Sequence, residues 1–304
     1  MTKAIVIVTL GLLVVAIAAP FWARTVGLGL PDLPPPGALV TIAGGHRLNV
    51  FDHGSGQPVV LVHGLPGSAH DWRPLPDQLA AAGFRVIRYD RTGYGHSTSR
   101  PPEDSHSVTA NAADLLGLIA ALDLDRPILV GWSYGGGVAL SAADQAPSRV
   151  GALLLVGSDG PAGPSFGWFA TFFVLTQPLR SWGIASGIPV RFGIASMGRR
   201  AFQQSVPAWW PAHALSVIAS SKAQRTWTRE VRDFDPDSIR VEGIRVPVTL
   251  VHGTSDAFVP PSVAAASHRQ IAGSALVRIE GGGHMLPNTH TERILDEVRA
   301  LAVR

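Results

Sequence analysis

The sequence contains no cysteine, so disulfide bonds and metal sites built from thiolates are excluded. This absence does not indicate a redox compartment. The histidines also lack the close spacing of a zinc motif. The segment Gly93-Tyr94-Gly95 has the spacing G-x-G but does not belong to a dinucleotide-binding fingerprint. We therefore predict that the protein uses neither a metal nor an organic cofactor.

Charged residues are also scarce. They make up 15% of the 304 residues, the formal net charge is +3, and the arginines are scattered along the chain. Nucleic-acid binding usually requires a clustered basic surface, so we expect no nucleic-acid partner. A hydrophobic content of 46% is too high for a disordered chain. It is sufficient for one large domain that carries an inserted subdomain.

The segment Ala4–Ala23, "AIVIVTLGLLVVAIAAPFWA", has no charged residue. About twenty apolar residues can span a bilayer as a helix, and Phe21 and Trp22 are residue types that favour the membrane interface. We expect residues 1–25 to form a single-pass membrane anchor. A cleaved signal peptide, which would leave the protein secreted, is the main alternative, although its apolar region is usually shorter. A buried helix is a third possibility.

A proline-rich stretch follows, with the sequence "GLGLPDLPPPG". Prolines of this density favour an extended, stiff spacer. We predict that residues 26–37 link the N-terminal segment to a folded domain.

From residue 38 onward, apolar runs typical of strands alternate with segments of helical spacing. Such alternation indicates a mainly parallel sheet with helices on both faces. The eight predicted strands have the sequences ALVTIA, RLNVFDHG, PVVLVHG, FRVIRYD, RPILVGW, VGALLLVGS, VPVTLVHG and ALVRIEGG, and the first two form a hairpin.

The alternation stops over residues 160–243, which are rich in aromatic residues. We predict a helical lid there, inserted into an α/β core formed by residues 38–159 and 244–304. Phe166–Leu175 is too short to cross a bilayer. It and Trp209-Trp210 are expected to pack on the core, to line an apolar pocket, or to form a surface that dips into lipid.

The stretch "ILVGWSYGGGVAL" contains a serine motif, G-x-S-x-G, between a predicted strand and a predicted helix. In that context the motif predicts a nucleophile elbow, in which a strained turn exposes the hydroxyl of Ser133 next to the N-terminus of a helix. A serine hydroxyl needs a base, and the base needs an orienting group. Asp256 and His284 each follow a later strand. Because loops at the carboxyl ends of parallel strands share one edge of the sheet, the three side chains are expected to meet.

Four motifs together resemble the α/β-hydrolase family: "HGLPG" (His63–Gly67), "DRTGYGHS" (Asp90–Ser97), "GWSYGG" (Gly131–Gly136) and "HGTSDAFVP…GGGH" (His252–His284). The resemblance covers residues 38–304, and the order Ser, Asp, His is that of the family. It implies that the N–H groups of Leu65 and Tyr134 form the oxyanion hole. Some relatives place their acid where Asp159 lies, which leaves that residue as an alternative to Asp256.

We expect a serine hydrolase that cleaves a carboxylic ester with an apolar moiety through an acyl-enzyme. Relatives that use an aspartate nucleophile, such as haloalkane dehalogenases, have the same layout, but this chain has Ser133. Other hydrolases and perhydrolases of the family use the same triad, so amide, lactone or carbon–carbon cleavage and peracid formation remain open. A binding protein of the same fold without turnover is the alternative from another functional class.

Overall fold

The computed structural model describes residues 34–161, 174–177 and 188–303. Eight strands form one sheet in the order β1-β2-β4-β3-β5-β6-β7-β8. Strands β1 and β2 form an antiparallel hairpin at one edge, β2 pairs antiparallel with β4, and all other neighbours are parallel. The strands are β1 Ala38–Thr41, β2 Arg47–Gly54, β3 Pro58–Val62, β4 Arg85–Tyr89, β5 Ile128–Trp132, β6 Ala152–Val156, β7 Val248–Gly253 and β8 Ala275–Ile279.

The central strands are covered on both faces. Every residue of β5, β6 and β7 is buried, which explains why these strands are almost continuous apolar runs rather than alternating ones. The predicted α/β fold with a mainly parallel eight-stranded sheet is confirmed.

Helices follow most strands, as the spacing predicted. The helices are α1 Leu75–Ala81, α2 Val108–Ala121, α3 Tyr134–Gln145, α4 Ile188–Phe202, α5 Trp210–Ala219, α6 Ser221–Asp233, α7 Pro261–Gln270, α8 Leu286–Thr289 and α9 Thr291–Ala302. Helix α1 begins only at Leu75. A short 3₁₀ turn, Ala69–Trp72, and Pro74 precede it, because proline is well tolerated only at the start of a helix.

Alternate side chains of each central strand belong to two separate apolar clusters, one on each face of the sheet. Leu153 and Leu155 belong to the cluster that includes residues of α2 and α3. Leu154 and Val156 belong to the second cluster, which includes residues of α1 and α9 and also Phe202 of α4. Helices α4 and α5 therefore contribute to the core on one face of the sheet.

The described part of the segment between β6 and β7 contains α4, α5, α6 and a 3₁₀ turn at Pro236–Ser238. This helical content is compatible with the predicted lid. The boundaries at residues 160 and 243 remain a prediction, as does the division of the rest of the chain. The aromatic stretch Phe166–Leu175 lies mostly outside the described residues.

The prediction of a membrane-spanning anchor is contradicted. Within the described ranges no helix is long and apolar enough to cross a membrane. The longest has 15 residues, short of the roughly 20 that a bilayer requires. The segment on which the prediction was based, Ala4–Ala23, lies outside the described residues, as does the linker up to residue 33. The predictions of a membrane location and a membrane partner depended on this anchor and are contradicted with it.

Candidate active site

Ser133 lies at a sharp turn between β5 and α3. Its backbone has a φ of 55° and a ψ of −127°, a strained combination for a residue with a side chain. The two flanking glycines permit the turn: a Cβ on Gly131 would lie 2.5 Å from the carbonyl oxygen of Gly135, and a Cβ on Gly135 would overlap the carbonyl oxygen of Val62. The strand, the helix and β3 therefore meet too closely for any larger residue.

The two predicted oxyanion donors lie next to this turn. Tyr134 is the first residue of α3, where a backbone N–H has no acceptor within the helix. Leu65 belongs to the loop after β3 and lines the same cavity as Ser133. The positive end of the α3 dipole adds to the stabilisation of negative charge at this point.

His284 pairs with Asp256. Its Nδ1 lies 2.8 Å from Asp256 Oδ2, and the carboxylate of Asp256 is completely buried. The other carboxylate oxygen accepts the backbone N–H groups of Phe258 and Val259, both at 2.9 Å. Burial by itself raises the pKa of Asp256, but the hydrogen bonds from His284 and from these two N–H groups outweigh it, so the pKa lies below its ordinary value. Asp256 is therefore an anion that orients the imidazole.

Asp159, the alternative acid, is placed differently. Its backbone N–H donates to the carbonyl oxygen of Ser133 at 3.2 Å, whereas the imidazole of His284 is bonded to Asp256. Burial raises the pKa of Asp159 to about 6, opposed by His284 and reinforced by the charge of Asp256. The geometry favours Asp256 as the partner of His284.

Two aromatic residues hold the His284 segment. The indole N–H of Trp132 donates to the backbone carbonyl of His284 at 3.0 Å, and the two rings lie 5.3 Å apart. Phe258 lies on the imidazole with a ring separation of 5.4 Å. Neither residue has a role that the sequence alone indicates, because the contact between Trp132 and His284 spans 152 positions of the chain.

Ser133 and His284 open into a cavity of about 260 Å³. Most of its described lining is apolar and comes from the loop after β3, from helices α4 to α6 and from the loop that carries His284. The described lining residues are Leu65, Pro66, Asp71, Trp132, Ser133, Met197, Ala201, Trp210, Ala214, Val217, Ile218, Trp227, Phe258, His284 and Met285.

A buried arginine fixes the loop that carries Leu65. The guanidinium of Arg91 donates to the carbonyl oxygen of His63 at 3.2 Å and to that of Gly64 at 2.9 Å. Its counter-ion is Glu230 of α6, which also accepts the hydroxyl of Tyr94 at 2.6 Å. Arg91 and Glu230 are both 1% exposed, so their charges must compensate each other.

His63 belongs to the same network and is held as a neutral imidazole. Its Nε2 accepts the backbone N–H of Arg91 at 2.9 Å, so Nδ1 carries the proton and donates to the Gly64 carbonyl at 2.9 Å. Burial, and then the charge of Arg91, lower the pKa of His63 well below its ordinary value. These contacts give His63 a structural role in holding the loop.

A second carboxylate–histidine pair borders the cavity. Asp71 Oδ1 lies 2.6 Å from Nε2 of His213, which is on α5, and Asp71 Oδ2 accepts the backbone N–H of Ser68 at 2.7 Å. Both side chains are less than 10% exposed. Asp71 and His213 lie 142 positions apart and no short motif contains both, so the sequence alone does not indicate this pair.

The structure thus brings Ser133, Asp256 and His284 together at the carboxyl ends of the parallel strands, with Leu65 and Tyr134 beside the serine. Their catalytic role remains a prediction. Among the residues that the structure describes, no group of three histidine or carboxylate side chains is arranged to hold a metal ion.

Comparison with known proteins gives related hydrolases. A non-heme chloroperoxidase from Streptomyces lividans is 31% identical over 269 residues, covering 83% of this chain and 95% of the relative. A 2-hydroxy-6-oxo-2,4-heptadienoate hydrolase from Pseudomonas putida is 30% identical over 240 residues, covering 73% of this chain and 80% of the relative.

A solved structure and a family model give the same result. The esterase EaEST from Exiguobacterium antarcticum is similar in structure, with a TM-score of 0.74 and 27% identity over 88% of this chain and all of that one. The model of the alpha/beta hydrolase fold matches residues 57–291. The chain belongs to the α/β-hydrolase fold family and is an enzyme of that type.

Proposed function

We propose that the protein is a serine hydrolase that cleaves carboxylic esters with an apolar moiety through an acyl-enzyme. The observation that carries the proposal is that the strained Ser133 and the Asp256-bonded His284 line one apolar cavity. In this reaction Ser133 Oγ attacks the ester carbonyl and His284 Nε2 accepts its proton. The alcohol leaves with that proton, and a water molecule then releases the acid in a second, equivalent attack.

The backbone supplies the anion stabilisation. The N–H groups of Leu65 and Tyr134 would receive the carbonyl oxygen as it becomes negatively charged, and loss of one such donor typically costs on the order of 10²–10³ in turnover. The Arg91–Glu230 pair supports this by holding the carbonyl groups of His63 and Gly64. Residues that act through the loop in this way are positioning residues.

The charge of the cavity favours a neutral or cationic substrate over an anionic one. Asp71 lines it, and the described lining contains neither lysine nor arginine. An acid such as the heptadienoate that names the Pseudomonas putida relative would bring a carboxylate towards Asp71, where like charges repel. We therefore favour an ester over a carbon–carbon substrate of that kind.

The similarity to the Streptomyces lividans chloroperoxidase supports a second candidate, a perhydrolase activity. Hydrogen peroxide would replace water in the second attack, so that the acyl group leaves as a peracid and Ser133 regains its proton. Formation of peracid from an ester and hydrogen peroxide, lost in Ser133→Ala, would establish this activity.

The principal test is labelling with a fluorophosphonate probe, combined with hydrolysis of p-nitrophenyl esters of graded chain length. We expect wild type to be labelled and Ser133→Ala to be neither labelled nor active. Ser141→Ala, a serine on the same helix without access to the cavity lining, serves as the matched control and should behave like wild type. Labelling of Ser133→Ala, or none of wild type, would contradict Ser133 as the nucleophile.

A further inference from the structure

Asp71 is the only carboxylate among the described residues that line the cavity. The mechanism proposed above does not use it. It lies in the 3₁₀ turn after the loop of Leu65, and it is buried, with 6% of its surface exposed. A carboxylate in an otherwise apolar wall is costly unless it is hydrogen-bonded, so its partners indicate what it can still bind.

Among the residues that the structure describes, each oxygen of Asp71 has one hydrogen-bond donor. Oδ1 receives His213 Nε2–H at 2.6 Å, and Oδ2 receives the Ser68 N–H at 2.7 Å. A carboxylate has about four lone-pair positions, so acceptor capacity remains on both oxygens. No lysine or arginine of the described ranges forms an ion pair with it. The carboxylate is therefore oriented by its neighbours without having its charge cancelled by a fixed cation.

His213 lies behind Asp71 rather than in the cavity lining. It is buried in α5, its ring lies 5.7 Å from that of Trp209, and its Nδ1 has no hydrogen-bond partner among the described residues. Its Nε2–H donates to Asp71 Oδ1 and holds that carboxylate oxygen in place beside the cavity.

We propose that Asp71, oriented by His213 and Ser68, binds a hydrogen-bond donor of the substrate, an ammonium or hydroxyl group on the part of the ester that fills the cavity. This inference rests on the proposed function and names its substrate class: an ester with an apolar chain and one donor group remote from the carbonyl. A site built to accept a hydrogen bond discriminates strongly against an analogue that lacks the donor, because the buried acceptor is then unpaired.

The substitution Asp71→Asn tests the charge with little change of shape. The amide oxygen can accept the Ser68 N–H, and the amide nitrogen can donate to His213 Nε2, because a neutral imidazole can carry its proton on Nδ1 instead. In that tautomer the Nδ1 proton has no acceptor among the described residues. The variant therefore keeps both contacts of Asp71 and loses the anionic charge.

The experiment compares p-nitrophenyl esters of equal chain length, four to eight chain atoms, that end in ammonium, hydroxyl or methyl. It is run at pH 7, where an alkylamine is protonated. In wild type we compare the two esters at the chain length at which the ammonium ester reacts fastest. There we expect kcat/KM of the ammonium ester to be no more than about tenfold below that of the methyl ester. In Asp71→Asn the ratio of ammonium to methyl should fall by about tenfold or more, the ratio of hydroxyl to methyl by less, and the methyl ester should change little.

The controls separate this inference from the proposed function. Asp256→Asn should lower kcat/KM of all three series together, leaving their ratios unchanged. The inference is overturned if wild type rejects ammonium and hydroxyl esters at every length, a result that needs no variant, or if the ratios are equal in wild type and Asp71→Asn. If wild type is not labelled by a fluorophosphonate and hydrolyses none of the three series, the proposed function itself fails.

Discussion

Two aspartate–histidine pairs border the same cavity in opposite orders. In one, the carboxylate of Asp256 is completely buried and the imidazole of His284 lines the cavity. In the other, the imidazole of His213 lies behind and the carboxylate of Asp71 lines the cavity. The same two residue types therefore present a base in one place and an anion in the other.

The hydrogen-bond donors around the two carboxylates differ accordingly. Two backbone N–H groups and an imidazole surround Asp256, so its charge is stabilised without access to the substrate. Asp71 has one backbone donor and one imidazole donor and keeps acceptor capacity. The order of the two residues decides whether such a pair suits proton transfer or recognition.

The sharpest way to break the comparison is to make the same substitution at both carboxylates. We expect Asp256→Asn to lower turnover by roughly 10⁴ on every ester, because His284 loses the group that sets its tautomer and stabilises its positive charge. Asp71→Asn should affect only donor-bearing esters. Steady-state kinetics on the three ester series measures both, and equal losses in the two variants would contradict the division of roles.

Removing the ion pair that supports the loop of Leu65 and Asp71 should have the next largest effect. Glu230→Gln leaves the buried guanidinium of Arg91 uncompensated, and we expect the free energy of unfolding to fall by about 3–5 kcal/mol. Urea unfolding monitored by tryptophan fluorescence gives this value.

The matched control for Glu230→Gln is Glu297→Gln. Glu297 pairs with the half-exposed Arg293 on the surface of α9, and its loss should cost less than about 1 kcal/mol. An equal loss of unfolding free energy in both variants would contradict the larger contribution that we expect from the buried Arg91–Glu230 pair.

Narrowing the apolar part of the cavity should shorten the ester chain that it accepts, without changing Asp71. Ala214 of α5 lines the cavity, and Ala214→Leu adds three carbon atoms there. We expect kcat/KM of the longest methyl-terminated esters to fall by about 10–200-fold relative to the shortest, since each lost methylene site is worth roughly 1–3 kcal/mol. Ala212→Leu, on the exposed side of the same helix, should leave the chain-length profile unchanged.

The smallest expected effect concerns pH and a third histidine near the pair. Nδ1 of His70 lies 2.8 Å from an Arg73 nitrogen and 3.3 Å from an Arg88 nitrogen, and burial together with these charges lowers its pKa to about 3. Below about pH 6.5 the unfolded chain binds a proton at His70 and the folded chain does not, so this residue makes stability fall as pH falls from 6.5 towards 3.

Comparison of wild type with His70→Gln measures this contribution. Between pH 6.5 and pH 5 the loss of unfolding free energy should be smaller in the variant by about 1 kcal/mol, allowing for solvent screening. The two proteins should show parallel pH dependence above pH 7. A wild type that loses no more stability on acidification than the variant would contradict the lowered pKa of His70.

Local patterns in the sequence were sufficient for most of the fold. The alternation of apolar runs with segments of helical spacing predicted a mainly parallel sheet, because strands covered on both faces are almost continuously apolar. The glycines around Ser133 identified the elbow, because the approach of Gly135 to Val62 excludes any side chain there. The expectation that failed was the membrane anchor. It was drawn from the hydropathy of one terminal segment, whereas the described helices are too short and polar to span a bilayer.

The sequence by itself determined the strand and helix order, the position of Ser133 and the Ser–Asp–His order, because each depends on neighbouring residues or on the rule that parallel strands end at one edge. Only the tertiary structure decided that Glu230 compensates Arg91 and that His213 orients Asp71. These partners are 139 and 142 positions apart and come from helices packed over the sheet. The hydrophobic periodicity of the sequence does not predict such pairings, because they arise from the packing of whole helices and not from neighbouring residues.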